Sequence, residues 1–355
     1  MANSFWKDKT VLITGDSGFK GSWLSIYLLT LGAKIIGISL PPKRDIDNFN
    51  LCDLDKKITH ITGDIRDKHL INNLFKKYEP DIVFHLAAQP LVIDSYKNPH
   101  ETYETNVMGT LNILDGMKII NKKMVGIFVT TDKCYENKEN NYAFREDDPL
   151  GGYDIYSSSK ACCEILISSY RNSFFNKSSY NEHKKDISSV RAGNVIGGGD
   201  FSDYRLIPDC IKAFENNESV IIRNPKSIRP WQHVLEPLSG YILLAEKMYE
   251  NPIQYGGTYN FGPYLKDVLT VGELTKKIAK RFNMEDKIKI QRNNVYHEAD
   301  LLFLDITKSS FYLGFKPVLD INKALDFTVE YYQNYKKENV FNLCRNQINE
   351  YIKLR

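Results

Sequence analysis

Lys9-Thr10-Val11-Leu12-Ile13-Thr14-Gly15-Asp16-Ser17-Gly18-Phe19-Lys20-Gly21 decides how the rest of the chain is read. The first half is a short apolar run, the composition of a buried strand, and the second half spaces its glycines as GxxGxxG. Trp23, Leu24, Ile26, Tyr27, Leu28 and Leu29 then recur at helical spacing. Strand, glycine turn and helix in that order make a phosphate cradle: glycine lets the backbone approach a pyrophosphate, and the helix start presents free N–H groups and a positive dipole. Gly15, Gly18, Phe19 and Gly21 are therefore candidate cofactor contacts, although a ligand-free tight turn would use the same glycines, and the spacing is not the usual GxGxxG.

Working outward, the alternation continues. A second strand, Lys34 to Ile38, ends at Ser39-Leu40-Pro41-Pro42 with no acidic residue to hold an adenosine ribose; the nearest charges are Lys43, Arg44 and Asp45, which leaves NAD and NADP both open. A third, Ile58 to Thr62, ends at Gly63-Asp64-Ile65, where Asp64 could accept from an adenine amino group or cap a helix. The fourth, Asp81 to Leu86, closes in Ala87-Ala88-Gln89-Pro90, small residues that suit close approach of a cofactor; His85 inside the run reads as a core histidine. Asn106 is a polar position on an apolar helix face, either a structural bridge or part of a proton path. A fifth strand, Val125 to Val129, runs into Thr130-Thr131-Asp132-Lys133, and a sixth spans Ser188 to Ile196.

Such alternation predicts an α/β fold, a Rossmann-type doubly wound parallel sheet with a smaller α/β substrate-binding lobe. Residues 1–196 are expected to form the NAD(P)-binding domain, with return elements around 230–262, and residues 197–355 mainly the lobe, where Arg205, Arg223 and Arg229 suit a diphosphate. A C-terminal amphipathic helix is expected from about Ile321 to beyond Tyr332.

Tyr156 and Lys160 stand four residues apart at the start of a helical stretch and share a face. An ammonium beside a phenol lowers its ordinary pKa of about 10 by roughly 1 to 3 units, which would bring Tyr156 toward use as a base on an alcohol. Elsewhere the 47 Lys and Arg nearly balance the 44 Asp and Glu, with no single-sign block to mark a nucleic-acid or membrane footprint. The six cysteines show no metal-ligand spacing, so no metal is expected. With no leader-like N-terminus and no apolar run of about 18 residues, a soluble cytoplasmic protein is expected.

Tyr156, Lys160, Thr131 and the GxxGxxG turn together resemble the extended short-chain dehydrogenase/reductase family. The stretches Thr131 to Asn137, Arg191 to Gly199, Arg205 to Asp209, Arg229 to Tyr241 and His297-Glu298-Ala299 narrow the resemblance to nucleotide-sugar 4,6-dehydratases, with CDP-glucose as the favoured substrate. Two positions depart from that pattern: Asp16 stands where the family usually has His, and Phe201 where it has Trp. The resemblance implies a catalytic set of Thr131, Asp132, Lys133, Tyr156 and Lys160, in which Tyr156 takes the sugar C4 hydroxyl proton, Lys133 is the base at C5 and Asp132 protonates the departing C6 hydroxyl. For those roles Asp132 must be protonated and Lys133 neutral, and a proton could be shared within the pair. The resemblance further implies NAD held by Asp64, Ile65, Leu86, Ala87, Ala88, Gln89 and Asn106, substrate held by Asn194, Arg205, Arg229 and His297, and a homodimer or homotetramer paired through helices of the cofactor domain. An epimerase or reductase would share Tyr156 and Lys160 but need no acid and base at Asp132 and Lys133. A non-catalytic dinucleotide-binding regulator would need neither pair.

Overall fold

The computed structural model describes residues 4–138, 142–291 and 301–355. Seven parallel strands form the central sheet: β1 (Thr10–Thr14), β2 (Lys34–Ser39), β3 (Thr59–Thr62), β4 (Ile82–His85), β5 (Met124–Val129), β6 (Lys185–Ala192) and β7 (Thr258–Phe261), in the order β7-β6-β5-β4-β1-β2-β3. The order reverses between β1 and β4, and the crevice beyond the strand ends at such a switch point is where doubly wound sheets bind ligands.

Alternate residues of each strand serve opposite layers, as the pleat requires. Val11, Ile13, Ile82, Phe84, Val125 and Ile127 share one buried cluster with α1 (Phe19–Thr30) and the later helix Leu235–Glu250, while Leu12, Ile36, Val83 and Phe128 pack with α2 (Lys68–Tyr78), α3 (Gly109–Lys118) and α4 (Ile155–Ser173). Each fully buried Leu, Ile or Phe contributes about 1.5–3 kcal/mol, so a sheet covered on both faces is a rigid platform for the loops at its tips.

The sixth strand begins earlier than its apolar pattern suggests, at Lys185, and breaks after Ala192, so that only Val195–Ile196 resumes as a short strand beside Gln232–His233. Beyond it, α5 (Leu206–Glu215), α6 (Leu235–Glu250) and α7 (Val271–Phe282) alternate with two further two-stranded pairs, Ile228–Arg229 with Leu269–Thr270 and Val220–Ile222 with Ile288–Ile290. The single expected C-terminal helix is two, α8 (Ile321–Asn334) and α9 (Val340–Leu354), because Asn339 starts a new helix by accepting from the Asn342 amide. The Tyr351 hydroxyl on α9 donates to Glu236 of α6. Among the described residues no helix is long and apolar enough to cross a membrane.

Candidate active site

A cleft of about 1450 Å³ opens along the carboxyl ends of the strands, large enough for two ligands end to end. Its floor is the glycine turn. Gly15 has φ +76°, and a Cβ there would sit 2.8 Å from the Ala87 amide; a Cβ at Gly21 would sit 2.0 Å from the Gly15 carbonyl. Only glycine allows β1, the turn and the β4 tip to close up this far, and the result presents the α1 N-terminus to the cleft.

One side of the cleft is walled by Asp64, Ile65 and the β2 end, and the tip of β4 brings in Leu86, Ala87, Ala88 and Gln89. Asp64 does not cap the following helix: Asp67 does, accepting from the Leu70 amide at 3.0 Å. Arg66 instead holds the Asp64 carboxylate through Nε and Nη2, and this lowers its pKa. Asn106 does not line the cleft. It is buried in a π-helical turn, Glu104–Met108, where its amide accepts from the Gln89 N–H at 2.8 Å and donates to the Ser159 hydroxyl at 2.8 Å, so it bridges the β4 tip to α4. His85 is a core residue held between Thr14 and Thr110. His297 lies outside the described residues.

Asp16, the departure inside the turn, points away from the cleft. Its carboxylate accepts from His60 Nδ1 at 2.7 Å and fills the space that Gly37 leaves, since a Cβ at Gly37 would meet Asp16 Oδ2 at 2.1 Å. The charge therefore sits behind the cradle. Phe201, the second departure, packs edge-on against Tyr332 at 5.6 Å and lines the cleft.

Further along the cleft the tip of β5 meets the start of α4. Asp154 caps α4 by accepting from the Ser157 amide at 2.9 Å, which sets Tyr156 on the first turn, and Ser95 Oγ accepts from the Tyr156 amide. Tyr156 is hydrogen-bonded to Thr131, whose hydroxyl donates to Asp132 Oδ1 at 3.0 Å. The expected lowering of the Tyr156 phenol does not occur: burial pushes it above its ordinary value and Asp132 adds to the push, while Thr131 and Arg205 oppose it. Lys160 shares the helix face as expected, but its ammonium donates to the Val129 carbonyl at 3.2 Å, drawn by the free carbonyl at the end of β5. Burial lowers the Lys160 ammonium itself.

Asp132 is 3 % exposed, and its Oδ2 has no hydrogen-bond partner in a niche that Gly193 leaves open. Burial raises its carboxyl against the pull of Lys133, Thr131, Arg229 and Lys20. Lys133, one residue on, is exposed and lines the cleft. Arg205 pairs with the buried Asp200 at 2.7 Å, and its charge reaches Tyr156. Arg229 and Asn194 also line the cleft. Lys20, Asp200 and Ser95 were not singled out from the sequence: Lys20 sat in a motif read for its glycines, and the other two carry no local signal.

These features define a dinucleotide-binding α/β enzyme with an acid–base centre beside its cofactor cradle. The chain belongs to the GDP-mannose 4,6 dehydratase family of extended short-chain dehydrogenases/reductases, whose model matches residues 12–328. It is 43 % identical over 350 residues to a CDP-glucose 4,6-dehydratase of Salmonella typhimurium, covering 98 % of each chain. Among solved structures it is similar to a UDP-N-acetylglucosamine 4-epimerase from Methanobrevibacter ruminantium (TM-score 0.78, 27 % identity, 92 % of this chain and 99 % of that one). In fold it also matches a dTDP-glucose 4,6-dehydratase from Streptomyces venezuelae (TM-score 0.78, 23 % identity, 91 % and 97 %).

Proposed function

We infer that the chain is a nucleotide-sugar 4,6-dehydratase, a hydro-lyase that uses NAD, and that its substrate is CDP-glucose. The observation that carries the reading is the meeting of Tyr156 and Thr131 with a buried, partner-poor Asp132 and an exposed Lys133 at one strand tip. The substrate rests on the similarity over 98 % of the chain to the Salmonella enzyme. NAD suits the glycine cradle and is the cofactor bound in the Streptomyces venezuelae structure.

In the mechanism, Gly15, Gly18, Phe19 and Gly21 would hold the cofactor pyrophosphate at the α1 N-terminus, and Asp64 and Gln89 would flank the adenosine and nicotinamide ends. Bound NAD supplies a reversible hydride acceptor, which lets the sugar be oxidised at C4 and reduced at C6 with no net redox change. Tyr156, oriented by Thr131 and acting in its phenolate form, receives the C4 hydroxyl proton as the C4 ketone forms. That ketone acidifies the C5 hydrogen, and Lys133 removes it as a proton. Asp132, whose carboxyl burial raises above its ordinary value, gives its proton to the C6 hydroxyl as the C6–O bond breaks, so that water leaves and a C5=C6 double bond remains conjugated to the ketone. Reduction at C6 with protonation at C5 completes the 4-keto-6-deoxy sugar. Arg205, Arg229 and Asn194 would hold the diphosphate.

Incubation of the purified protein with CDP-glucose and NAD should give a 4-keto product without build-up of reduced-nicotinamide absorbance. A keto product from a different nucleotide sugar alone would overturn the substrate and leave the reaction. In Asp132→Asn combined with Lys133→Ala, C4 oxidation should survive while water loss collapses; equal loss of both steps would overturn the assigned roles. The exposed apolar Met108 and Ile165 support a homo-oligomer paired through the helices of the cofactor half, which sedimentation tests directly.

A further inference from the structure

Lys20 is the second residue of α1, and its side chain is half-buried in the wall of the same cleft that holds Asp132, Arg205 and Lys160. The N-terminus of a helix is a poor place for a cation, because the dipole and the free N–H groups there are already positive. A lysine at this position therefore needs anions nearby; besides the pyrophosphate proposed for the glycine turn, the protein itself offers two, for its charge meets the carboxyls of Asp132 and Asp200, set against the cations Arg205 and Lys160. Asp200 is already engaged by Arg205 at 2.7 Å. Asp132 is the carboxyl left with an oxygen that has no partner.

We propose that Lys20 is a positioning residue for the acid of this site: from the α1 side of the cleft that it shares with Asp132, engaged in no ion pair among the described residues, its ammonium stabilises through the cleft the carboxylate left when that acid gives up its proton. The proposal rests on the reading of Asp132 as the acid that protonates the departing C6 hydroxyl. Every element packed around Asp132 contributes to its field. Lys133 and Thr131 act from its own turn, Arg229 from the strand Ile228–Arg229 and Lys20 from α1, while the phenols of Tyr156 on α4 and Tyr241 on α6 and the Cys134 thiol all feel its charge. Of the cations, Lys133 is exposed, and Arg229 donates to its neighbouring Ile228 carbonyl. Lys20 is the one whose own ammonium is pulled down to about 8, by burial first and by Arg205 next, so its charge weakens just above neutral pH and its support for the Asp132 carboxylate weakens with it.

The sign follows from electrostatics. Removing a cation raises the pKa of a nearby carboxyl, so without Lys20 the acid stays protonated to higher pH but donates less readily. In Lys20→Met, single-turnover measurement should show water elimination slowed by about 3- to 10-fold relative to C4 oxidation, with reduced nicotinamide transiently accumulating, and the alkaline limb of elimination moved up by about one pH unit. Lys20→Arg should restore the rate ratio and hold the limb near its original place. A merely structural role would slow both steps together and leave the limb where it was, and that result would overturn the proposal. In the Asp132→Asn background Lys20→Met should move no limb. The same movement in that background would show that Lys20 acts on another group and would overturn the coupling, whereas undiminished elimination by Asp132→Asn alone would overturn the acid assignment on which it rests.

Discussion

Beneath Thr131 and Tyr156 lies a buried ion pair whose removal has a calculable cost. Glu164, two turns along α4 from Tyr156, and Arg191 on β6 have side chains only 2 % and 3 % exposed. Glu164 Oε2 accepts from Arg191 Nη2 at 2.9 Å and from Ser189 Oγ at 2.7 Å, and Oε1 accepts from the Thr130 hydroxyl at the tip of β5. Arg191 also donates to the Glu146 carbonyl and lies 4.6 Å over the Tyr135 ring. One carboxylate thus clamps α4 to both β5 and β6, and the Thr131–Tyr156 contact depends on that spacing.

Glu164→Ala strips the charge partner from Arg191 and leaves Thr130 only the Val190 carbonyl and Ser189 only the Thr258 hydroxyl. Breaking a buried pair from one side costs about 3–5 kcal/mol, a large share of the roughly 5–15 kcal/mol that separates folded from unfolded states. Replacing both partners together, as Glu164→Met with Arg191→Met, leaves no buried charge and should recover most of the loss. Urea unfolding of the wild type, Glu164→Ala and the double variant measures both quantities. The pH dependence gives an independent reading. Burial tends to raise the Glu164 carboxyl, but Arg191 and the hydrogen bonds win and hold it below its ordinary value. Its contribution is therefore present above the unfolded carboxyl pKa of about 4.3 and lost as pH falls through the lower folded value. The double variant should lack that acid limb. A loss under about 1 kcal/mol in Glu164→Ala, or an equal loss in the double variant, would refute the clamp.

Two further perturbations test the cradle and the sheet. Gly21→Ala places a methyl 2.0 Å from the Gly15 carbonyl and 2.8 Å from Asp16 Cα, both backbone, so NAD affinity followed by fluorescence titration should fall by about tenfold or more, and unchanged affinity would show that the turn can relax. Asp186, near the start of β6, has its carboxyl pushed up to about 6 by burial, so its favourable neutral form contributes fully below about pH 4 and is lost as pH rises through about 6; Asp186→Asn should add about 1–3 kcal/mol at pH 8 and little at pH 4, and equal effects at both pH values would refute the assignment.

What the sequence disclosed and what it withheld divide by range. The β1 turn was legible because an apolar strand, glycine spacing and a helical stripe are all local patterns, and Tyr156 with Lys160 was legible because a helix brings i and i+4 together. Lys185 and Asp186 read as loop, since two charges contradict a buried strand. The Lys185 ammonium is buried on the carbonyls of Ile120, Lys122 and His183, the first two more than sixty residues away. Asp16 looked like a charge in the phosphate cradle, and only the pairing of β2 with β1 and β3 shows that Gly37 makes room for it and His60 binds it. The direction of the Lys160 ammonium depends in the same way on a carbonyl thirty-one residues back. Side-chain direction and distant partners are set by tertiary packing, which no window of sequence contains.

The same reasoning separates Asp132 from Lys133. Adjacent in sequence, they invited the idea of one proton shared between them, which would tie acid and base together through the reaction. Asp132–Cys134 is a 3-10 turn, in which successive side chains point about 120° apart. Both line the cleft, Asp132 buried in its wall and Lys133 exposed, and among the described residues the two form no ion pair. Lys133 still lowers the Asp132 carboxyl, but through space and second to the burial that raises it. Burial and the field of Lys133 thus act on the Asp132 carboxyl in opposite senses, and burial wins, which argues against a single proton passed between the two sequence neighbours.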